Sequence, residues 1–184
     1  MSRSPRPWAQ DLLHFWFHDV GPARWFVADE AVDSQIVRRF AVVLKAMAKR
    51  PAHEFLCDID TAQAAILLFD QLPRNMFRGS AQAFAHDGTA RVLARGMVAR
   101  GWHKALPAAA SQFVLMPLMH AETIAEQRDS CALFSRYGSR RNRRFALAHW
   151  RMIARFGRFP HRNAVLGRAS TPAEIRAMVA GYSW

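Results

Sequence analysis

Two arginine-bearing segments hold the residues best able to do chemistry. The first is Asp70-Gln71-Leu72-Pro73-Arg74-Asn75-Met76-Phe77-Arg78-Gly79. The second is Arg155-Phe156-Gly157-Arg158-Phe159-Pro160-His161-Arg162-Asn163, followed by Leu166-Gly167-Arg168. Each sets Pro, Arg and Asn between bulky apolar residues, where an ordinary surface loop carries Ser, Gly and Lys. Guanidinium forks held among aromatics suit bidentate recognition of a carboxylate or phosphate. Asp70, Arg74 and Arg78 are spaced by four, so a helical turn would set Asp70 beside Arg74 and both arginines on one side. Asp87 follows in Phe84-Ala85-His86-Asp87. These acids and arginines either present a ligand site or satisfy one another as an internal ion-pair network. Arg158, His161, Arg162 and Arg168 have no acid near them in sequence. Their counter-charge is either a ligand or one of Asp70, Asp87 and Glu122, which would unite both segments in one site.

Between them lies Met116-Pro117-Leu118-Met119-His120-Ala121-Glu122, with Gln127 beyond. A histidine and a carboxylate beside arginines suit general acid–base work. Two residues apart, His120 and Glu122 would not share a face of a regular helix, though at a helix end they could meet. The plainer alternative is a hydrogen-bonded structural histidine, and it applies equally to His149. Asp11, His14 and His18 include a helical His pair four apart, a zinc-chelating spacing. No HExxH motif accompanies them, and no metal or other cofactor is expected. GxxxxGK[ST], GxGxxG and GxSxG are all missing, which removes the common phosphate-loop, dinucleotide and serine-hydrolase readings.

The elements that must position these residues read as helices almost throughout. Trp8 to His18 places Leu12, Phe15 and Trp16 on one face, and residues 29–49 repeat the pattern with Val32, Ile36, Phe40 and Val43. A third helix over 60–72 is expected to end at Pro73, and a fourth to run over 81–99 before Gly101. Residues 106–120 and 122–134 read as two helices broken or bent near Pro117. The clearest amphipathic stripe is Phe145, Ala148, His149, Met152, Ile153 and Phe156, on a helix over 142–156. Thr171-Pro172-Ala173-Glu174 supplies an N-cap, a proline at the first helical position and a capping-box glutamate. Strand signals are nearly absent. One all-α domain of about seven or eight helices joined by short loops is the expectation.

Composition agrees. The 184 residues fit one domain with a substantial core, and 51% hydrophobic content argues for a globular chain. No apolar run approaches the roughly 20 residues of a membrane span. The N-terminal Met1-Ser2-Arg3-Ser4-Pro5-Arg6-Pro7 lacks the apolar core of a secretion signal. Cys57 and Cys131 form no CxxC pair, so a reducing cytoplasm is the natural setting. The net charge of +12 is uneven: residues 130–172 contain ten arginines and no acid. Such a stretch admits an anionic partner, nucleic acid included. Arginine outnumbers lysine 23 to 3, which genome composition alone can produce, and aromatic-basic recognition modules are missing, so nucleic acid is not the favoured partner. Trp8, Trp102 and Trp184 do not decide between core and oligomer interface.

Leu68-Phe69-Asp70-Gln71-Leu72-Pro73-Arg74-Asn75, Phe77-Arg78-Gly79 and Phe84-Ala85-His86-Asp87 resemble the hallmark of the bacterial family called domain of unknown function 924. The likeness continues through Pro117 to Glu122, residues 155–168 and Thr171 to Glu174, and takes in Phe15-Trp16-Phe17 and Trp25-Phe26. Phe69 and Leu72 depart from the usual residues by volume-tolerant swaps. The resemblance implies an all-α fold similar to tetratricopeptide-repeat superhelices, although no repeat consensus is legible. It also holds Asp70, Arg74, Asn75, Arg78, Asp87, His120, Glu122, Arg158, His161, Arg162 and Asn163 as one polar set, without naming a reaction. The leading expectation is an Arg/His/Asp-lined groove, with Arg74, Arg78, Arg158 and Arg162 binding an anionic small molecule or carboxylate-bearing peptide. There Asp70 and Glu122 would orient the arginines. The alternative is an enzyme acting on a phosphorylated or nucleotide-like substrate through His120 or His161. The third reading is nucleic-acid contact through the basic C-terminal third.

Overall fold

The computed structural model describes residues 6–180, leaving Trp184 and the first five residues outside the described residues. Among them the chain forms α1 (Pro7–His14), α2 (Glu30–Met47), α3 (Ile59–Ile66), α4 (Leu72–Met76), α5 (Asp87–Ala99), α6 (Ala108–Met119), α7 (Ile124–Tyr137), α8 (Arg140–Phe156) and α9 (Pro172–Val179), with no strand. Two π-helical segments interrupt the regular pitch, Phe15–Val20 after α1 and Leu67–Gln71 between α3 and α4. Since α3, the second π segment and α4 are continuous, they act as one rod, and eight helical units result.

The core is assembled by the apolar faces the sequence prescribes. Leu12, Phe15 and Trp16 meet Val32, Ile36 and Phe40 of α2 and a fully buried run from Ala64 to Leu68. Phe113, Leu115 and Leu118 of α6 join the same cluster. Trp8 and Trp102 pack on this core part-buried, with the Trp8 ring 6.1 Å from Phe55 in an edge contact. Along α5, α6, α7 and α8 each helix packs on the next, while α1 lies on α3 and α2 on α4. No helix of the described residues is long and apolar enough to cross a membrane.

Three boundaries differ from expectation, each for a local reason. Pro73 does not end its helix. The Leu72 N–H bonds Leu67 O, five residues back, so the π segment shifts the hydrogen-bond pattern and Pro73 falls in the first turn of α4, where no donor is required. Pro117 does not break α6 either; the helix continues to Met119 and stops at His120. The run over 81–99 is two pieces, a 3-10 turn Ala81–Phe84 capped by Ser80 and then α5. At the C-terminal end the capping box forms as expected, Thr171 with Glu174. Thr171→Ala is expected to lower the unfolding free energy by about 1 kcal/mol, read from urea denaturation midpoints.

Candidate functional site

The rod built from α3, the π segment and α4 is the backbone of the site. Its π turn is buried throughout, from Leu67 to Gln71, so Asp70 sits in the interior with no solvent exposure. A buried carboxylate is costly unless it is paired. Here Oδ1 meets His120 Nδ1 at 2.8 Å and Arg74 Nη1 at 3.3 Å, and Oδ2 accepts from Gln71 Nε2 at 2.6 Å. Burial alone would raise the Asp70 pKa, but the Arg74 guanidinium and His120 together hold it below the ordinary carboxylate range.

Arg74 carries the network onward. Its two terminal nitrogens donate to both oxygens of Asp87, at 3.0 and 3.1 Å. Asp87 opens α5, where the helix dipole favours an acid. The same carboxylate accepts from Arg162 Nη1 at 3.4 Å. The result is a chain of alternating charge, His120–Asp70–Arg74–Asp87–Arg162, that ties the two arginine segments into one constellation.

Arg162 is the unusual member. Its residue is 6% exposed, and its guanidinium carbon lies 4.5 Å from the Phe84 ring centroid and 4.6 Å from that of Phe159. Two aromatic faces thus sandwich a cation. Of the five donors a guanidinium carries, only the long bond to Asp87 is made, and the buried Nε has no hydrogen-bond partner. Burial, with Arg74 adding repulsion, lowers its pKa to about 10, still fully charged at neutral pH.

A cavity of about 850 Å³ opens on this constellation. Arg74, Asn75, Arg78, His120, His161 and Arg162 line it, while Asp70 and Asp87 stand behind them. The wall therefore presents donors forward and keeps its acids at the back. Trp25, Phe26, Phe84, Met116, Met119 and Phe145 supply an apolar lining. The Gly21–Asp29 connection forms part of that wall: Gly21 adopts φ 68°, Trp25 Nε1 donates to Trp16 O at 2.7 Å, and Phe26 stacks on Phe113 at 6.0 Å.

Three histidines line the cavity. His149 of α8 lies 6.4 Å from His120 between ring centroids, and both it and His161 pack on Phe159. Burial keeps all three neutral at pH 7. It lowers His120 despite Asp70, takes His149 to about 3 with His120 adding to the effect, and takes His161 to about 4 with Arg162 adding.

The remaining expected residues hold the frame. Glu122 does not orient the cavity arginines. It binds Arg168 through two bonds of 2.7 and 3.0 Å and accepts the Phe159 N–H at 2.8 Å, so it staples the second segment to the α6–α7 turn. Arg158 pairs with Glu174 at 2.7 and 3.0 Å, holding Glu174 at about 2, and Asn163 donates to Ser170 at 3.0 Å. Asn75 and Arg78 line the cavity but both bond Asp33 of α2, at 2.8 and 2.5 Å. Asp33, Phe84, Arg141, Asn142 and Phe145 are site residues outside the expected set. Among the described residues no cluster of three or more His, Cys, Asp or Glu side chains could hold a metal. Asp11 and Asp19 both bind Arg39, and His14 stacks on His18.

Fold and site together define an all-helical protein with a charged, aromatic-lined cavity that has three histidines in its wall. The family described as "Bacterial protein of unknown function (DUF924)" matches residues 12–181, and the chain belongs to that family. A solved structure of a protein of unknown function from Agrobacterium tumefaciens is similar to it. The two share 38% identity and a TM-score of 0.89, over 94% of this chain and 97% of that one. A search of the curated proteins gives no match.

Proposed function

We propose that the cavity binds an amphipathic small molecule bearing a carboxylate, with its acid group at Arg162 and its apolar body against Phe26, Phe84 and Phe145. The observation that carries this is the uneven pairing of the arginines. Arg158 and Arg168 each own a carboxylate, whereas Arg162 shares Asp87 with Arg74 through one long bond. A buried guanidinium with unused donors facing an apolar cavity gains most from a planar monoanion. Asp70 and Asp87 already offset Arg74 and Arg162, so the wall balances one added negative charge better than the two of a phosphate monoester. The stacked helices α5 to α8 serve as the scaffold in this reading, in keeping with the tetratricopeptide-like resemblance. The free thiols of Cys57 and Cys131 suit a cytoplasmic setting. Two of the ten arginines in the acid-free stretch, Arg158 and Arg168, are consumed internally and Arg162 is buried, which weakens the nucleic-acid reading.

The test is a thermal-shift series with aliphatic and aromatic carboxylates, inorganic phosphate and nucleotides at constant ionic strength. A carboxylate at 100 times its Kd is expected to stabilise the fold by about 2.7 kcal/mol. The shift is expected to vanish in Arg162→Ala. Selective shifts from phosphates alone, or carboxylate shifts that survive the substitution, would refute the assignment.

A further inference from the structure

The dyad of Asp70 and His120 has a chemical meaning beyond binding. The Asp70 carboxylate, fixed by Gln71 and Arg74, takes the Nδ1 side of the His120 ring at 2.8 Å. A carboxylate there selects the tautomer with the proton on Nδ1, and leaves Nε2 as a lone-pair acceptor on the side of the ring toward the cavity. His120 closes α6 at its C-cap, so its backbone is fixed by a hydrogen bond to Met116 O at 3.0 Å. An oriented neutral imidazole, a buried guanidinium with unused donors and an apolar chamber now share one wall. The lining has Ser139 as a hydroxyl, but its Oγ bonds the Asn142 amide within the cap of α8.

We propose that this protein is an acyl hydrolase in which His120 Nε2 is the general base toward water, Arg162 stabilises the oxyanion, and the carboxylate named above is the product. The proposal rests on that binding reading and deepens it: the substrate is an ester or amide of an amphipathic acid. Nε2 removes a proton as the water oxygen bonds the carbonyl carbon. The carbonyl oxygen gains negative charge against Arg162. Collapse of the tetrahedral species breaks the carbon–oxygen or carbon–nitrogen bond, and the imidazolium returns its proton to the departing alcohol or amine. The new acid ionises and remains as a carboxylate on Arg162. Nothing is oxidised or reduced. Asp70 touches neither water nor substrate and is a positioning residue. The charged and titratable groups around His120 are Asp70 from the π segment, Arg74 from α4, Asp87 from α5, His149 from α8 and His161 from the 160–162 turn, with Arg162 lining the same cavity.

The experiment measures hydrolysis of 4-nitrophenyl esters from acetyl to octanoyl and of a set of N-acyl amino acids. Wild type is compared with His120→Ala, His120→Gln, Asp70→Asn and the exposed-histidine control His18→Gln. Saturable turnover is expected, with His18→Gln unchanged and both His120 variants lowered at least 100-fold. Asp70→Asn is expected to lower kcat more than KM and to displace the acidic limb of the pH profile, which a purely structural role would not do. Product carboxylates should inhibit competitively. Nitrogen NMR of the wild type at pH 7 supplies a measurement independent of substrate choice: His120 must carry its proton on Nδ1. A proton on Nε2, equal turnover in the His120 variants, or no turnover of any substrate would each overturn the proposal. If carboxylates still bind in that last case, the binding reading stands alone; if they do not, both fall. Circular dichroism and the carboxylate thermal shift show that each variant is folded.

Discussion

Replacing Asp70 with alanine is expected to lower the unfolding free energy by about 3–5 kcal/mol. The buried carboxylate meets three side chains: His120, Arg74 and Gln71. Removing it strands the Gln71 amide and the His120 Nδ1 donor, and leaves Arg74 with Asp87 and the backbone carbonyl of residue 70. For a chain of this size the loss corresponds to a fall in Tm of about 10 °C. Asp70→Asn, which keeps the volume and part of the hydrogen bonding, should fall between wild type and alanine. Urea denaturation of the three proteins at pH 7 measures the series. A loss below about 1 kcal/mol for alanine would mean that desolvation of Asp70 cancels everything its partners supply.

Mild acid is the second large effect. In the unfolded chain His149 and His161 take up protons near 6.5, whereas in the fold they refuse them until about 3 and about 4. Below pH 6.5 the unfolded state therefore binds more protons, and stability falls as the pH falls. Each histidine contributes a slope approaching about 1.4 kcal/mol per pH unit, so the pair gives roughly 2.5 kcal/mol per pH unit between about pH 6 and 4. Below about pH 4.5 the lowered carboxylates Asp70, Glu122 and Glu174 add to the same trend, since their stabilisation requires the ionised form. Unfolding free energies at pH 7, 6 and 5 should show the slope, and His149→Gln should remove about half of it. A flat profile from pH 6 to 5, or an unchanged slope in the variant, would show that these rings titrate normally in the fold.

Much of this was legible in the amino-acid order. The four-residue spacing of Asp70 and Arg74 allowed their pairing, and the acid-poor second segment left the counter-charge of Arg162 to a ligand or to Asp70, Asp87 or Glu122, of which Asp87 is the one it meets. The stripe on α8 and the cap at Thr171 were equally direct. What stayed hidden depends on distant neighbours. Asp33 lies 42 residues from Asn75 and carries no local mark of its role. The sandwich of Arg162 between Phe84 and Phe159 joins positions that only the packed fold brings together. Glu122 sits next to the His120–Ala121 pair yet turns to Arg168, because the chain leaves α6 at His120 and the two side chains diverge. The π segment escaped detection for a simpler reason: a change from four-residue to five-residue bonding has no signature in composition, and Pro73 looked like a terminator.

That π segment also constrains how the chain can be wound. In effect it is a helix carrying one residue more than regular winding needs between Ile66 and Leu72. Winding the same residues as an unbroken α-helix at unchanged length would lose little local hydrogen bonding. Everything beyond Gln71 would then be out of phase by about 100°. Arg74 would swing off Asp87, and Asn75 and Arg78 off Asp33, while the helix itself remained intact. The wide turn therefore works as a phase setting, and a chain that lost it without losing a residue would keep its helices and lose its site.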